Sequence, residues 1–300
     1  VNESFGVSIE LRELLEEPTP RRMARLIRKA FDDKRRRPNT VVLLQDGSSQ
    51  PVFLVHAAAG NAMAYLPLVQ GLSSGTRIYG LQEPDSDTEL TSLKQLAEYY
   101  VGRVLDLNPD GSCVVGGWSF GGVVASIMAE LLAERGHRVR LVIMDASVPD
   151  PQMGFGLNRA RFALYLSHRL GPRVTEVANE MGDEGTDDEF VERVIAESNV
   201  DGMGVADVLR DLKSAYRKSI SLLSSFRAPV FNGEAILYRA TDQSLGTSET
   251  MNTSEDLGWG QHLSGLRIVP IKGNHVTMMF EPGVAALASD LARRLIEWGV

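Results

Sequence analysis

Ser119 lies between two glycines in the G-x-S-x-G pattern of residues 117–121, where a short apolar strand pattern changes into a helical one. A serine hydroxyl is a poor nucleophile at its ordinary pKa, so it needs a base within hydrogen-bonding distance and a third group that orients this base. A tight turn from strand to helix lifts the hydroxyl clear of the sheet and points the first helical amides at the group under attack. The pattern therefore predicts nucleophilic acyl transfer by Ser119.

His275 is the best candidate for the base. It follows a predicted strand, so we expect it at the carboxyl edge of the sheet, where the serine turn must also lie. It is the last histidine of the chain, as the order serine, aspartate, histidine requires. The remaining histidines lie in patterns typical of structural or incidental positions: His56, His137, His168 and His262.

Two aspartates are candidates for the group that orients the histidine. Asp145 ends the apolar strand predicted at 139–144, and Asp242 follows the strand predicted at 234–239. Both are expected at the carboxyl ends of strands, where open α/β sheets place their ligands. Spacing alone does not distinguish between them.

Acyl transfer also requires backbone N–H groups that stabilise the developing oxyanion, each worth roughly 3–4 kcal/mol. The amide of Phe120 is the first of these by its place in the turn. The second is expected from the loop 56–60, whose small residues let the backbone approach a substrate closely. We predict Ala58, with Ala57 as the alternative, and assign His56 to holding this loop.

An alternation of strands and helices must position these residues. Strands are predicted at 41–45, 51–56, 77–81, 112–116, 139–144, 234–239 and 266–271, and helices at about 61–73, 91–106, 122–135 and 283–298. Such alternation around buried strands indicates an α/β fold with a largely parallel sheet flanked by helices.

The alternation fails between about 150 and 228, which we interpret as a helical lid inserted between two strands. Helices are predicted there at roughly 157–170, 187–198 and 203–226, and the acidic run 183–189 is not expected to pack. The apolar residues predicted to face the sheet edge are Phe162, Leu166, Leu170, Val205, Val208, Leu209 and Leu212.

The segment 1–31 has a different pattern, with two short amphipathic helices. A charged run that ends at Pro38 follows, and we interpret it as a solvated linker rather than a nucleic-acid site. We therefore divide the chain into the segment 1–31, a linker with the first strand at 32–50, and a catalytic domain at 51–300.

The composition agrees with an ordinary globular protein. Of the 300 residues, 43% are hydrophobic and 23% are charged, and the formal charge of −8 argues against a nucleic-acid partner. The single cysteine, Cys113, excludes an internal disulfide and a cysteine-rich metal site. The absence of a long apolar run and of a signal-peptide pattern predicts a cytoplasmic protein with no membrane partner.

Taken together, several segments resemble the C-terminal thioesterase domains of nonribosomal peptide synthetases. They are residues 53–60, 78–82, 116–122, 144–145 and 273–275, and the resemblance runs from about residue 50 to the C-terminus outside the lid. It implies an α/β-hydrolase fold in which the acid follows the strand after the nucleophile helix, hence Asp145 rather than Asp242. One departure is Ala57, where the family commonly has proline.

Residues 5–20 resemble the last helices of a peptidyl carrier domain, whose phosphopantetheine-bearing serine would lie upstream. The resemblance implies that the chain releases a carrier-bound peptidyl or depsipeptidyl thioester through an acyl-O-serine intermediate, by macrocyclisation or hydrolysis. The substrate would arrive on the phosphopantetheine arm of the upstream carrier, with no metal or cofactor of the domain's own. The alternatives are a stand-alone small-molecule esterase of the same fold, an editing thioesterase, and a hydrolase-like binding protein without catalysis.

Overall fold

The computed structural model describes residues 19, 24, 40–72, 75–84, 88–110, 112–149, 159–182, 184–197, 205–242 and 254–300. Within this set, the residues from 41 to 83 and from 90 to 300 form one compact unit. The helices predicted at 1–31 and most of the predicted linker lie outside the described residues, so the division at residues 31 and 50 stays a prediction.

Seven strands of the described chain form a single sheet. They are β1 (Val41–Gln45), β2 (Val52–Val55), β3 (Ile78–Leu81), β4 (Cys113–Trp118), β5 (Val139–Met144), β6 (Phe231–Ala240) and β7 (Leu263–Ile271). The order across the sheet is β1-β3-β2-β4-β5-β6-β7, with β1 antiparallel to β3 and every other neighbouring pair parallel. The predicted α/β class and largely parallel sheet are confirmed, and the sheet includes β1, which we had grouped with the linker.

Strands β6 and β7 each begin three residues earlier than predicted. Their first residues include Gly233 and Gly265, which interrupt the apolar pattern on which the prediction depended. The two strands nevertheless pair from Phe231 and Leu263 onward, with a register shift between Phe231 and Glu234. Such an irregularity places an extra residue in one strand without ending the ladder.

The helices are α1 (Leu66–Gln70), α2 (Leu93–Leu107), α3 (Phe120–Glu134), α4 (Arg159–Leu170), α5 (Arg173–Met181), α6 (Asp187–Glu197), α7 (Val205–Leu222) and α8 (Gly283–Glu297), as far as the described residues extend. The helix predicted at 61–73 is a 3₁₀ turn followed by the short α1, which has a proline in its first turn and ends at Gly71. Twelve of the fifteen residues of α3 are buried. A helix that is apolar on nearly all sides lies inside the core, so the serine turn precedes a firmly packed helix.

The sheet is covered on both faces. Neighbouring strand residues alternate between two apolar clusters, so Val52 and Leu54 join one cluster while Phe53 and Val55 join the other. One cluster includes residues of α2 and α3, and the other includes residues of α1, α8 and the lid helices. Each fully buried side chain of this kind stabilises the fold by about 1.5–3 kcal/mol relative to an exposed one.

The predicted lid region is helical wherever it is described, and it contains one helix that we did not predict. Helix α5 begins directly after Pro172 and buries Val174, Val177 and Ala178. A proline at the start of a helix and apolar residues three and four apart are helical signals. The preceding Gly171 has a φ of 93° and separates α5 from α4.

Of two further predictions for this region, one agrees with the structure and one is wrong. The described part of the acidic run is almost entirely exposed, as predicted, although Asp187 and Asp188 begin α6 and form ion pairs with Arg217 and Lys213 of α7. Val208 does not face the sheet edge, since it is 47% exposed on α7. Among the described residues, no helix has both the length and the apolar character needed to span a bilayer.

Candidate active site

Ser119 occupies a strained turn between β4 and α3. Its φ of 57° and ψ of −125° lie in a region that L-residues rarely adopt, at a cost of about 1–3 kcal/mol. The turn is fixed because the Ser119 N–H donates to the Met144 carbonyl of β5 at 2.9 Å. A Cβ on Gly117 would stand 2.2 Å from the carbonyl carbon of Gly121, so the strand end and the helix start cross where only glycine fits.

The first turn of α3 lies directly on the end of β2. A Cβ on Gly121 would stand 2.2 Å from the Val55 carbonyl oxygen. This contact brings the loop after β2 beside the amide of Phe120, which as a first-turn amide has no intrahelical acceptor. Ala58 is buried in the same apolar cluster as Phe120. The roles of Ala58 and Phe120 as oxyanion donors stay predictions.

The structure brings Ser119, His275 and Asp145 together in one hydrogen-bonded chain. The His275 Nε2 atom lies 3.0 Å from Ser119 Oγ, and His275 Nδ1 lies 2.8 Å from Asp145 Oδ2. Because the carboxylate accepts the Nδ1 proton, the Nε2 lone pair is directed at the serine hydroxyl. Asp145 is 2% exposed and His275 7% exposed, so water competes little for these bonds.

The backbone fixes the Asp145 carboxylate from the neighbouring strand. Asp145 has a φ of 45°, and its N–H donates to the Tyr238 carbonyl of β6 at 2.7 Å. Its second oxygen, Oδ1, accepts the Ala240 N–H at 2.8 Å. Asp242 is exposed after the end of β6, and its backbone N–H donates to the Gly273 carbonyl. Of the two candidate acids, Asp145 is the one that bonds to His275 in this structure.

The loop that carries His275 is held by contacts that the sequence analysis missed. Asn274 Oδ1 accepts the backbone N–H groups of Val276 and Thr277 at 3.0 and 2.9 Å. The Trp118 indole N–H donates to the His275 carbonyl at 2.9 Å, and the two rings lie 5.4 Å apart. The available signal was the tryptophan beside Ser119, but the sequence does not tell how far apart residues 118 and 275 lie in the fold.

Tyr65 supports the same turn from the loop after β2. Its hydroxyl donates to the Val55 carbonyl at 2.5 Å and accepts the Trp118 N–H at 2.8 Å. Burial raises the pKa of Tyr65 well above its usual value, so the hydroxyl stays protonated. This tyrosine therefore connects the end of β2 to Trp118, the residue before Ser119.

His56 is fully buried, and its ring contacts the loop and α2. Its Nδ1 lies 2.6 Å from the Ala57 carbonyl and its Nε2 lies 2.9 Å from the Tyr100 hydroxyl. Burial lowers the pKa of His56, which favours the neutral ring. These contacts are those of a residue that holds the loop.

The other histidines lie in separate environments. His137 is in an exposed turn with Nδ1 at 3.1 Å from the Asp110 carbonyl, and His168 of α4 stacks on Phe280. The backbone N–H of His262 donates to the Trp259 carbonyl. In the part of the chain that is described, no cluster of histidine, cysteine and acidic side chains could hold a metal ion. Burial raises the pKa of the Cys113 thiol to about 12.

The amino-acid sequence is similar to a known domain family and to a known synthase. Residues 50–156 match the family model described as "Thioesterase domain". The chain is 25% identical to the dimodular nonribosomal peptide synthase of Bacillus subtilis (strain 168), in an alignment covering 99% of this chain and 12% of that protein. The chain thus spans about an eighth of the length of this curated relative.

Two solved structures show the same fold. The structure of holo-AB3403, a four-domain nonribosomal peptide synthetase bound to AMP and glycine, superposes with a TM-score of 0.71 and 20% identity over 98% of this chain and 23% of that one. The thioesterase domain of NocB from the nocardicin cluster superposes with a TM-score of 0.60 and 23% identity over 85% of this chain and 98% of that one. The fold is therefore that of the α/β-hydrolase thioesterase domains.

Proposed function

We propose that this chain, which is similar to a thioesterase domain and to a nonribosomal peptide synthase, releases a carrier-bound peptidyl or depsipeptidyl thioester through an acyl-O-serine intermediate. The observation that carries the proposal is the hydrogen-bonded chain from Ser119 through His275 to Asp145. It lies in a chain whose residues 50–156 match a thioesterase domain. The proposal accounts for the strained turn, the buried carboxylate and the homology together.

In the acylation step, Ser119 Oγ attacks the thioester carbonyl carbon while its proton passes to His275 Nε2. Asp145 keeps the Nδ1 proton in place and stabilises the imidazolium that forms. The oxyanion is held by the amides of Phe120 and Ala58. The carbon–sulfur bond then breaks, and the departing thiolate takes the proton from His275, which leaves an ester on Ser119 and a free pantetheine thiol.

In the second step, a nucleophile attacks the acyl-serine ester. His275 takes the proton of this nucleophile and returns it to Ser119 Oγ as the ester bond breaks. Water as the nucleophile gives a free acid, whereas an amine or hydroxyl of the substrate chain itself gives a macrocycle. The outcome depends on how completely the lid excludes water from the ester.

We propose that the substrate arrives on the phosphopantetheine arm of an upstream peptidyl carrier domain. The alignment with the Bacillus synthase covers 99% of this chain, so it extends through the N-terminal segment that resembles a carrier. The superposition on the four-domain synthetase covers 98% of the chain, against 85% for the isolated NocB domain. The wider coverage by the multidomain synthetase than by the isolated domain supports the proposal that part of this chain belongs to a neighbouring domain of such a synthetase.

The proposal is tested with an upstream carrier domain loaded with a peptidyl pantetheine thioester. Mass spectrometry of the small-molecule product should show release, and the mass distinguishes a cyclic product from a free acid. A matched oxygen ester of the same acyl group separates a small-molecule esterase, which would favour the ester. Preferential release of short acetyl groups would indicate an editing enzyme. A protein that Ser119-directed fluorophosphonates do not label would be a binding protein.

A further inference from the structure

The loop of residues 57–60 is tied to the segment that follows β3. Gly60 has a φ of 81°, and its N–H closes the loop on the Ala57 carbonyl at 2.9 Å. The backbone N–H of Glu83, two residues after β3, donates to the Gly60 carbonyl at 2.8 Å. The position of this loop therefore depends on Glu83 as well as on β2.

Helix α7 of the lid closes over the same glycine. A Cβ on Gly60 would stand 2.8 Å from Glu83 Oε2 and 3.0 Å from the Ala215 side chain. Lys218 follows Ala215 by three residues on the same face of α7, and its Nζ lies 3.0 Å from Glu83 Oε1. Gly60 is thus enclosed between a carboxylate and a helix that are themselves joined by an ion pair.

The charges of this ion pair also act on the buried His56. Burial is the main influence that lowers the pKa of His56, while the charge of Glu83 raises it and the charge of Lys218 lowers it. The His56 ring in turn contacts the Ala57 carbonyl, which also accepts the Gly60 N–H. The pair therefore lies against the Gly60 end of the loop, and its charges influence the His56 ring at the other end.

Other cations of α7 form ion pairs within the lid. Arg210 pairs with Glu192 of α6 at 2.8 Å, and Lys213 pairs with Asp188 of the same helix. Lys218, by contrast, reaches a residue adjoining the sheet. Its partner Glu83 has a side chain only 23% exposed, so solvent screens this pair less than a fully exposed one.

We infer that Lys218 and Glu83 are positioning residues for acylation, because their ion pair seats α7 against Gly60 and thereby sets the loop that carries the Ala58 amide. The inference rests on the proposed function, which makes this loop the source of the second oxyanion donor. It also couples the lid to the chemistry. When α7 lifts, the pair breaks and the loop is released, so rapid acylation requires a seated lid.

The test compares Lys218→Met, which keeps most of the side-chain stem and removes the charge, with Arg210→Met on the same helix. With a small acyl-pantetheine thioester, Lys218→Met should lower kcat about tenfold. This loss is smaller than the roughly 10²–10³-fold loss in kcat expected when an oxyanion donor is removed entirely. KM should change little, because the oxyanion contact strengthens mainly in the transition state. Arg210→Met should leave kcat unchanged.

A charge exchange, Glu83→Lys with Lys218→Glu, distinguishes positioning from simple destabilisation. The exchanged protein should recover most of the lost kcat, whereas each single substitution should not. Equal kcat values for the Lys218 and Arg210 variants, or no recovery on exchange, would overturn the inference. Thermal unfolding of each variant identifies any that fail to fold. If a single variant does not fold, the kcat of the folded charge-exchanged protein decides between positioning and destabilisation.

A failure of the proposed function can be recognised separately. If the unmodified protein hydrolyses no thioester, the proposed function is wrong whatever the variants do. The rate at which a fluorophosphonate labels Ser119 then replaces kcat, because its phosphoryl oxygen occupies the same amide pair. A slower labelling rate in Lys218→Met than in Arg210→Met supports a positioning role for the Lys218–Glu83 pair, and equal rates refute that role.

Discussion

The Ser119 hydroxyl can act as a nucleophile only if the lone pair on His275 Nε2 stays directed at it. Two features ensure this: the Nδ1 proton is held by Asp145, and the Asp145 carboxylate is itself held by the Ala240 amide. The Trp118 indole fixes the backbone of the histidine loop. His275 and Asp145 of the proposed triad are therefore each oriented by a further contact, as preorganised catalysis requires.

Replacing Ser119 by alanine should abolish covalent labelling and thioester turnover. The substitution removes Oγ but keeps a Cβ of the same size in the turn, so the unfolding temperature should change little. Intact-protein mass spectrometry after fluorophosphonate treatment measures the adduct. An adduct on the substituted protein, or on another residue of the parent, would show that the nucleophile lies elsewhere.

Replacing Asp145 by asparagine should lower turnover by about 10⁴-fold, since an amide at this position favours the wrong histidine tautomer. Asp242→Asn is the matched control, because Asp242 is an exposed aspartate one strand away. Surface substitutions of this kind have small effects. Steady-state kinetics with one thioester measures both variants, and a larger loss in the Asp242 variant would reverse the assignment.

Sequence patterns located these residues but not the contacts that hold them. The serine motif and the histidine after a late strand are local signals, and each predicted a position at the carboxyl edge of the sheet. Tyr65, Trp118 and His275 are far apart in sequence, and their contacts follow from the order of strands in the sheet. Periodicity carries no information about that order, so these supporting residues were missed.

At the scale of the elements, the lid was predictable as helical but not in its details. Helix α5 was missed because a glycine and a proline precede it. Such residues often end a helix, whereas here a new helix begins directly after the proline. The ion pairs at the acidic start of α6 were not predicted, because their partners lie on α7. Asp187 pairs with Arg217, and Asp188 pairs with Lys213.

The inner face of α7 is predicted to control the product. Leu212 packs against an apolar cluster, whereas Val208 on the same helix is 47% exposed. Leu212→Asn should admit water and raise the ratio of free acid to cyclic product, and Val208→Asn should not. Chromatography of products from a loaded carrier measures the ratio. Equal losses of acylation and of all products would instead mark α7 as structural support.

The contact between α6 and α7 should depend on salt but not on mild acid. Hydrogen bonding to Lys213, followed by its charge, lowers the pKa of Asp188 below its ordinary value of 3.8. The pairing is therefore complete above that ordinary value and is lost only as the pH falls through the lowered one. Hydrogen exchange of α6 should match at about pH 5 and pH 7 after correction for intrinsic rates. It should quicken in about 1 M salt, where the Debye length is about 3 Å. Unchanged protection in salt would show that apolar contacts hold α6.

For the whole molecule, the alternation of strands and helices predicted the fold class because parallel strands need helical connections on both faces. The same reasoning could not place β1. A short strand after a charged linker is equally compatible with an isolated hairpin and with an edge strand, and only its antiparallel pairing with β3 makes it part of the sheet. The compact unit consequently begins at Val41.

This boundary leads to the last prediction, that residues 1–39 contribute nothing to the chemical steps. A chain that starts at residue 40 retains β1 and every residue of the candidate site, so hydrolysis of a soluble thioester should stay within a few-fold of the parent. A second truncation through Gln45 is the control. It removes the strand whose residues Val41, Val42 and Leu43 pair with β3, so it should lower the unfolding temperature. A collapse in rate of the first truncation without loss of its unfolding transition would show that the N-terminal segment acts on the active site directly. If residues 1–39 serve only to connect the domain to its carrier, the truncated protein should also release a peptide from a separately supplied carrier at a rate within a few-fold of the parent's.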